Sequence, residues 1–149
     1  MKVALAAARR GIRRNDGGPF GACIIRRGRL IATAHNTVLR DQDPTCHAEI
    51  NVIREACRKL GTFDLSGCTL YTTAEPCPMC FGAIYWARLA RVVIGADMAV
   101  AAHYGFSDAM IYAALRSATK HKVSIRKGIM ATACRQVFEE WRRLGRPLY

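Results

Sequence analysis

Apolar positions along this chain follow two rhythms, every three to four residues in some stretches and every second residue in others. The first residues read as an amphipathic helix, ended by the turn signal Asn15-Asp16-Gly17-Gly18-Pro19. Residues 20–26 and 29–35 read as two strands joined at Arg27-Gly28, a tight hairpin. Asp43-Pro44-Thr45 leads into a helix starting near His47, on which Ile50, Ile53, Cys57 and Leu60 share one face and which Gly61 can end. Residues 69–72 form a short β-branched strand, 78–87 a second helix and 91–95 an apolar strand. After a loop, the pattern predicts a helix near 108–116, a strand near 123–125 and a last helix over 131–144. No repeat, linker or low-complexity stretch interrupts this order. Such alternation predicts an α/β fold, a sheet with helices on both faces.

At 149 residues, 51% of them hydrophobic, the chain is long enough to bury a core as one domain. No apolar run approaches the 18 or so residues of a membrane span, so no membrane partner is expected. The start faintly resembles a signal peptide, but Arg9, Arg10, Arg13 and Arg14 stand where cleavage would fall. The amphipathic helix is the better reading, and the expected location is the cytoplasm. Seven cysteines are an odd number to pair, and without a secretory signal a disulfide framework is not expected. Cys23, Cys46, Cys57, Cys68 and Cys134 sit among apolar neighbours, as small buried residues would.

The net charge of +12 gathers at residues 9–14, 26–29, 120–127 and 142–146. Such a field can attract nucleic acid, or can simply be a solvated basic surface. These clusters lack interleaved aromatics, so nucleic acid stays open as a partner without being favoured.

Chemistry enters with His47-Ala48-Glu49 and, about thirty residues on, Pro76-Cys77-Pro78-Met79-Cys80. His47, Cys77 and Cys80 make a three-ligand zinc set that leaves a fourth position for water. Water held there has its pKa lowered to about 7. Glu49, two residues beyond the histidine, can take that proton and hand it to a departing amine. Both segments sit where the chain enters a helix, whose positive end favours thiolates. Two thiolates also cancel the charge of Zn²⁺, and the two prolines stiffen the turn. Two other readings stay open: a redox Cys-x-x-Cys pair, and a structural zinc site. The latter usually has four protein ligands, and this chain has no second Cys-x-x-Cys.

The H-x-E…P-C-x-x-C arrangement is that of zinc-dependent nucleobase deaminases. Over nearly its whole length the chain resembles the cytidine-deaminase-like superfamily, and within it the bacterial guanine deaminases. The resemblance is carried by residues 17–22, by Asp43-Pro44-Thr45 ahead of His47, and by Glu75 through Cys80 running into residues 82–88. Gly105-Phe106, Asp108, Ile111-Tyr112, Trp141 and Tyr149 extend it. It implies a three-layer α/β/α sandwich with a five-stranded mixed sheet, and a homodimer. It would place Phe20, Asn36, Ala48 and Trp86 around a base, with Asp108 assisting proton transfer. A tail over about 145–149, swapped between subunits, would bring Tyr149 to the neighbour's active site.

Each of these side chains also has an ordinary reading. Phe20 and Trp86 suit a core, Asn36 a turn, and Asp108 the cap of the helix it precedes. Two residues depart from the pattern: Ser107 precedes Asp108 where an acidic residue is expected, and Ala133 stands where several relatives carry glutamate. The expected reaction is therefore zinc-dependent hydrolytic deamination of a free nucleobase, guanine before cytosine-like pyrimidines, aminotriazines or isoguanine. Deamination of adenosine in tRNA is the alternative that would use the charge.

Overall fold

Small residues decide how the first helix, α1 (Lys2–Arg13), lies on the first strand, β1 (Gly21–Arg26). A Cβ on Gly21 would meet the Ala4 carbonyl oxygen and lie 2.6 Å from the Ala8 nitrogen. Ala4, Ala7, Ala8 and Gly11 are the buried positions of α1, so its arginines stay on the outer side. The computed structural model describes residues 1–117 and 123–145.

The chain continues through β2 (Arg29–His35), α2 (Val38–Asp41), α3 (Ala48–Leu60), β3 (Cys68–Ala74), α4 (Pro78–Trp86) and β4 (Arg91–Ala96). Then follow α5 (Met98–His103), α6 (Ala109–Arg116) and α7 (Ala131–Arg143). The hairpin is as tight as its sequence predicts. Arg27 and Gly28 both adopt positive φ, 49° and 76°, the backbone that matches strand twist in a two-residue loop. The strand order is β2-β1-β3-β4. β1 pairs antiparallel with β2 and β3, whereas β3 and β4 are parallel, joined by the crossover helix α4.

Alternation along β1 divides the two faces. Gly21 meets α1, while Ala22 and Ile24 join Val52, Ile53, Ala56, Leu65 and Leu70 in the main core beneath α3. The helix–sheet–helix layering expected from the sequence is present. The buried face of α3 is wider than the four residues its spacing picked out. Ala48, Val52 and Ala56 are fully buried on it, and Cys57 and Leu60 only flank the core.

The sheet has four strands among the described residues, not five. The strand expected at 123–125 is irregular backbone, with Val123 and Ile125 exposed. Three alternating residues do not make a strand unless a ladder partner takes up their N–H and C=O groups, and none does so here among the described residues. Cys134 is exposed and Cys57 half-buried, contrary to the expected burial, whereas Cys23, Cys46 and Cys68 are buried. No helix among the described residues is long and apolar enough to cross a membrane. The chain divides into two compact units, Met1–Met110 and Ile111–Tyr149; the first contains the sheet and the whole described core, and the second contains α7. The tail expectation for residues 146–149, Tyr149 included, lies outside the described residues.

Candidate active site

Two helix starts meet at one point. His47 is the N-cap of α3 and Cys77 the N-cap of α4, both extended in backbone, with Pro78 at the first helical position of α4. Proline there costs no hydrogen bond, because first-turn N–H groups have no intrahelical acceptor. Cys80 follows in the same turn. His47 Nδ1 lies 3.5 Å from the sulfurs of both Cys77 and Cys80, and the three donor atoms lie within 4.8 Å of one another.

That geometry tests the metal directly. Zinc bonds of about 2.05 Å to nitrogen and 2.3 Å to sulfur, at tetrahedral angles, separate the two ligands by about 3.6 Å. The observed spacing matches that edge. The set also has the right softness, two sulfurs and one imidazole, with three protein ligands leaving a fourth position. Ile50, Met79 and Ala83 pack around the sulfurs and give them an apolar wall.

The groups bias one another electrostatically. The Cys80 thiol beside Cys77 is the main influence holding the Cys77 thiol down to about 4, with the His47 imidazole adding to it. Cys80 correspondingly keeps its proton, its pKa pushed upward by Cys77 and by burial. His47 is raised, chiefly by its contact with Cys77. Zinc binds both sulfurs as thiolates, so metal binding displaces the protons they carry.

Glu49 is buried and its two oxygens have different surroundings. Oε1 accepts a 2.8 Å hydrogen bond from the Thr72 hydroxyl, which also lies 3.0 Å from the Ala74 carbonyl oxygen. Oε2 lies 3.6 Å from the Cys80 sulfur, on the metal side. Burial raises the Glu49 carboxyl above its usual range. Thr72 was not among the residues singled out from sequence. Its signal was there: β3 buries Cys68, Leu70, Thr72 and Ala74 at period two, and a threonine in that apolar series needs a polar partner.

The other anticipated residues are distributed unevenly. Asn36 is buried, and its carboxamide oxygen accepts from Gly18 N–H at 3.1 Å and Val38 N–H at 3.2 Å. It is therefore a loop organiser, as its turn reading held, yet its NH₂ is left to donate elsewhere. Phe20 is half-buried and packs edge-on against Phe106, ring centroids 4.9 Å apart. Ala48 is fully buried, in the first turn of α3, where helix geometry leaves its N–H without an intrahelical acceptor. Asp108 is half-buried, and its carboxyl is raised by burial first and then by the Cys77 thiolate, with His47 opposing, so it sits in the field of the ligand set. The start of α6 is served by Ser107 instead, whose hydroxyl accepts from Ala109 N–H at 3.4 Å. Trp86 differs from the rest: it ends α4 as an exposed side chain, on a different face from buried Cys80 and Ile84.

A metal triad with an open position and a buried carboxylate beside it defines a zinc-dependent hydrolytic site. Residues 1–96 match the cytidine and deoxycytidylate deaminase zinc-binding region, and the chain belongs to that family. It is 42% identical to the guanine deaminase of Bacillus subtilis over 97% of this chain and 93% of that one. The X-ray structure of a guanine deaminase from Bacillus subtilis superposes with a TM-score of 0.89, covering 95% of this chain and 90% of that one. A tRNA-specific adenosine deaminase of Aquifex aeolicus is 46% identical, over 64% of this chain and 63% of its own length. This protein is a zinc-dependent deaminase.

Proposed function

We propose that this protein hydrolyses guanine to xanthine and ammonia. The observation that carries the reading is the 42% identity to guanine deaminase over 97% of the chain, stronger than the 34% identity to an adenosine deaminase over a similar span.

The chain's residues divide the work as follows. Zinc, when bound to His47, Cys77 and Cys80, supplies the Lewis acidity that makes water nucleophilic near neutral pH. Glu49 Oε2 would take one proton of the attacking water and pass it to the ring nitrogen as the water oxygen bonds to C2 of the base. It would then take the second proton from the new C2 hydroxyl and hand it to the amine as the C2–N bond breaks, so that water and guanine become xanthine and ammonia. Thr72 holds Oε1, so the carboxylate turns little between the two transfers. Asn36 donates its NH₂ to the base and Ala48 its backbone N–H, Phe20 packs on the ring, and Trp86 forms the outer wall. Asp108 relays a proton at the departing amine. The chain works as one deaminase domain in a cytoplasmic homodimer, with residues 145–149 exchanged so that Tyr149 closes the neighbour's site.

The test is ammonia release by zinc-loaded protein from guanine, cytosine, adenine, isoguanine and aminotriazines, alongside a tRNA adenosine substrate. Guanine should give the highest kcat/KM, and Glu49→Gln should retain zinc while losing at least about a hundredfold in kcat. Inosine formed in tRNA without ammonia from any free base would replace this reading with the adenosine one. Removing residues 147–149 should leave zinc content intact and depress guanine turnover.

A further inference from the structure

The chain's excess charge is not spread evenly: part of it converges on a cavity that the deamination chemistry does not use. Arg10 from α1, Arg40 from α2, and Arg54, Arg58 and Lys59 from α3 all line one cavity of about 460 Å³ beside β2. Only two carboxylates, Asp41 and Glu55, share it. Their pairings are clear. Arg40 is committed to Asp41 at 2.7 Å, and Glu55 holds Arg58 at 2.8 Å and Lys59 at 3.4 Å.

That leaves two guanidinium groups, on separate helices, without a carboxylate in ion-pair contact, although Arg54 acts on the Asp43 carboxyl from farther off. Neither Arg10 nor Arg54 has an acidic oxygen within ion-pair distance among the described residues, and the contact shown for the Arg54 side chain is 4.0 Å to the Cys46 sulfur. Both side chains line the same concavity, where an anion would meet a guanidinium from each of two helices. Guanidinium forks suit phosphate oxygens in particular.

The floor of the cavity is rigidly built. Asn51 Nδ2 donates to the His35 carbonyl oxygen at 3.1 Å, to Thr37 Oγ1 at 2.9 Å and to the Cys46 carbonyl oxygen at 3.3 Å. Thr37 N–H closes the set on the Cys46 carbonyl at 2.9 Å. A preformed polar floor beneath unpaired cations is what a small anionic ligand needs to avoid ordering costs on binding. The concavity is open to solvent on one side and has room for more than a bare phosphate.

We infer that this cavity binds a small phosphate-bearing ligand of about nucleotide size, with Arg10 and Arg54 gripping the phosphate. The site is separate from the zinc set and independent of which base the enzyme deaminates.

Calorimetric titration of the zinc-loaded full chain with inorganic phosphate and with AMP, at about 0.15 M ionic strength, tests it. Saturable binding at one site per chain is expected, weakened about tenfold or more in the Arg10→Gln, Arg54→Gln double variant. Zinc content reports that the variant is folded. AMP binding more tightly than phosphate supports the proposal, and equal affinities overturn its claim of a nucleotide-sized ligand. Absence of saturable binding, or affinity unchanged in the double variant, overturns the proposal. So does a short single-stranded RNA that loses affinity in the double variant while neither small ligand binds the wild type.

Discussion

Glu49 can carry a proton between two defined points only if one of its oxygens is fixed while the other is exposed to the reaction. Thr72 supplies that fixture, and its hydroxyl serves both states of the acid. It donates to Oε1 when Glu49 is ionised and also when Oε2 carries the proton, because Oε1 keeps its lone pairs in both states. Thr72→Val, of similar shape, should therefore lower kcat about ten- to a hundredfold at unchanged zinc content. Unaltered kcat, measured with KM over a range of pH, would show that the hydroxyl plays no part.

Asp64 gives a prediction of a different kind. The Ser66 backbone N–H and hydroxyl first, and the Arg88 guanidinium at 2.9 Å, hold its carboxyl down to about 2 from an ordinary 3.8. A depressed carboxyl stabilises the fold above its unfolded pKa, and that contribution disappears as pH falls through the folded value. Asp64→Asn should thus unfold at lower urea than wild type at pH 7, with the gap closing between about pH 4 and pH 2. A gap that persists at the acid end would mean that the ionised form contributes nothing.

At the scale of elements, the close seat of α1 on the sheet rests on the absence of a side chain at Gly21. A methyl there would press on backbone atoms of Ala4 and Ala8, which cannot swing aside as a side chain end could. Gly21→Ala should cost about 1–3 kcal/mol by urea denaturation, with zinc still bound because His47, Cys77 and Cys80 lie on the other helices. Full stability would mean that α1 can slide.

Legibility also varies by element. The hairpin, α3, α4 and the ligand set were readable because turn residues, helix periodicity and a spaced motif each act locally. Two short helices were not read. α2 has four residues, too few to show a period, and α5 carried a usable sign in Asp97, whose side chain accepts from Val100 N–H. The expected fifth strand failed for the opposite reason: pairing is non-local, and three alternating residues do not report whether an edge is there to receive them. The same limit applies within the site. The motif singled out His47, Cys77 and Cys80, which the fold brings together, and Glu49 beside them, but that Ser107 accepts from Ala109 N–H, and that Asn36 spends its oxygen on two loop amides, are facts of tertiary geometry.

For the molecule as a whole, α7 poses a question that its own sequence makes sharp. Cys134, Val137, Phe138 and Trp141 recur at helical spacing and form one apolar stripe, yet every residue of the helix is exposed. Amphipathic helices draw most of their stability from burying such a stripe, so a helix that leaves it in water is incomplete. Phe81, Tyr85 and Trp86 on α4 are exposed as well. Large apolar surfaces of this kind mark contact surfaces. The proposed homodimer supplies the missing cover with no second protein required. Sedimentation velocity should then give a dimer at micromolar concentration. Phe138→Glu places a charge in the stripe without touching the zinc set, so it should shift the protein toward monomer and lower guanine turnover while zinc content holds. A wild-type monomer would refute the dimer outright. A Phe138→Glu protein that still sediments as a dimer with full activity would instead remove α7 from the interface.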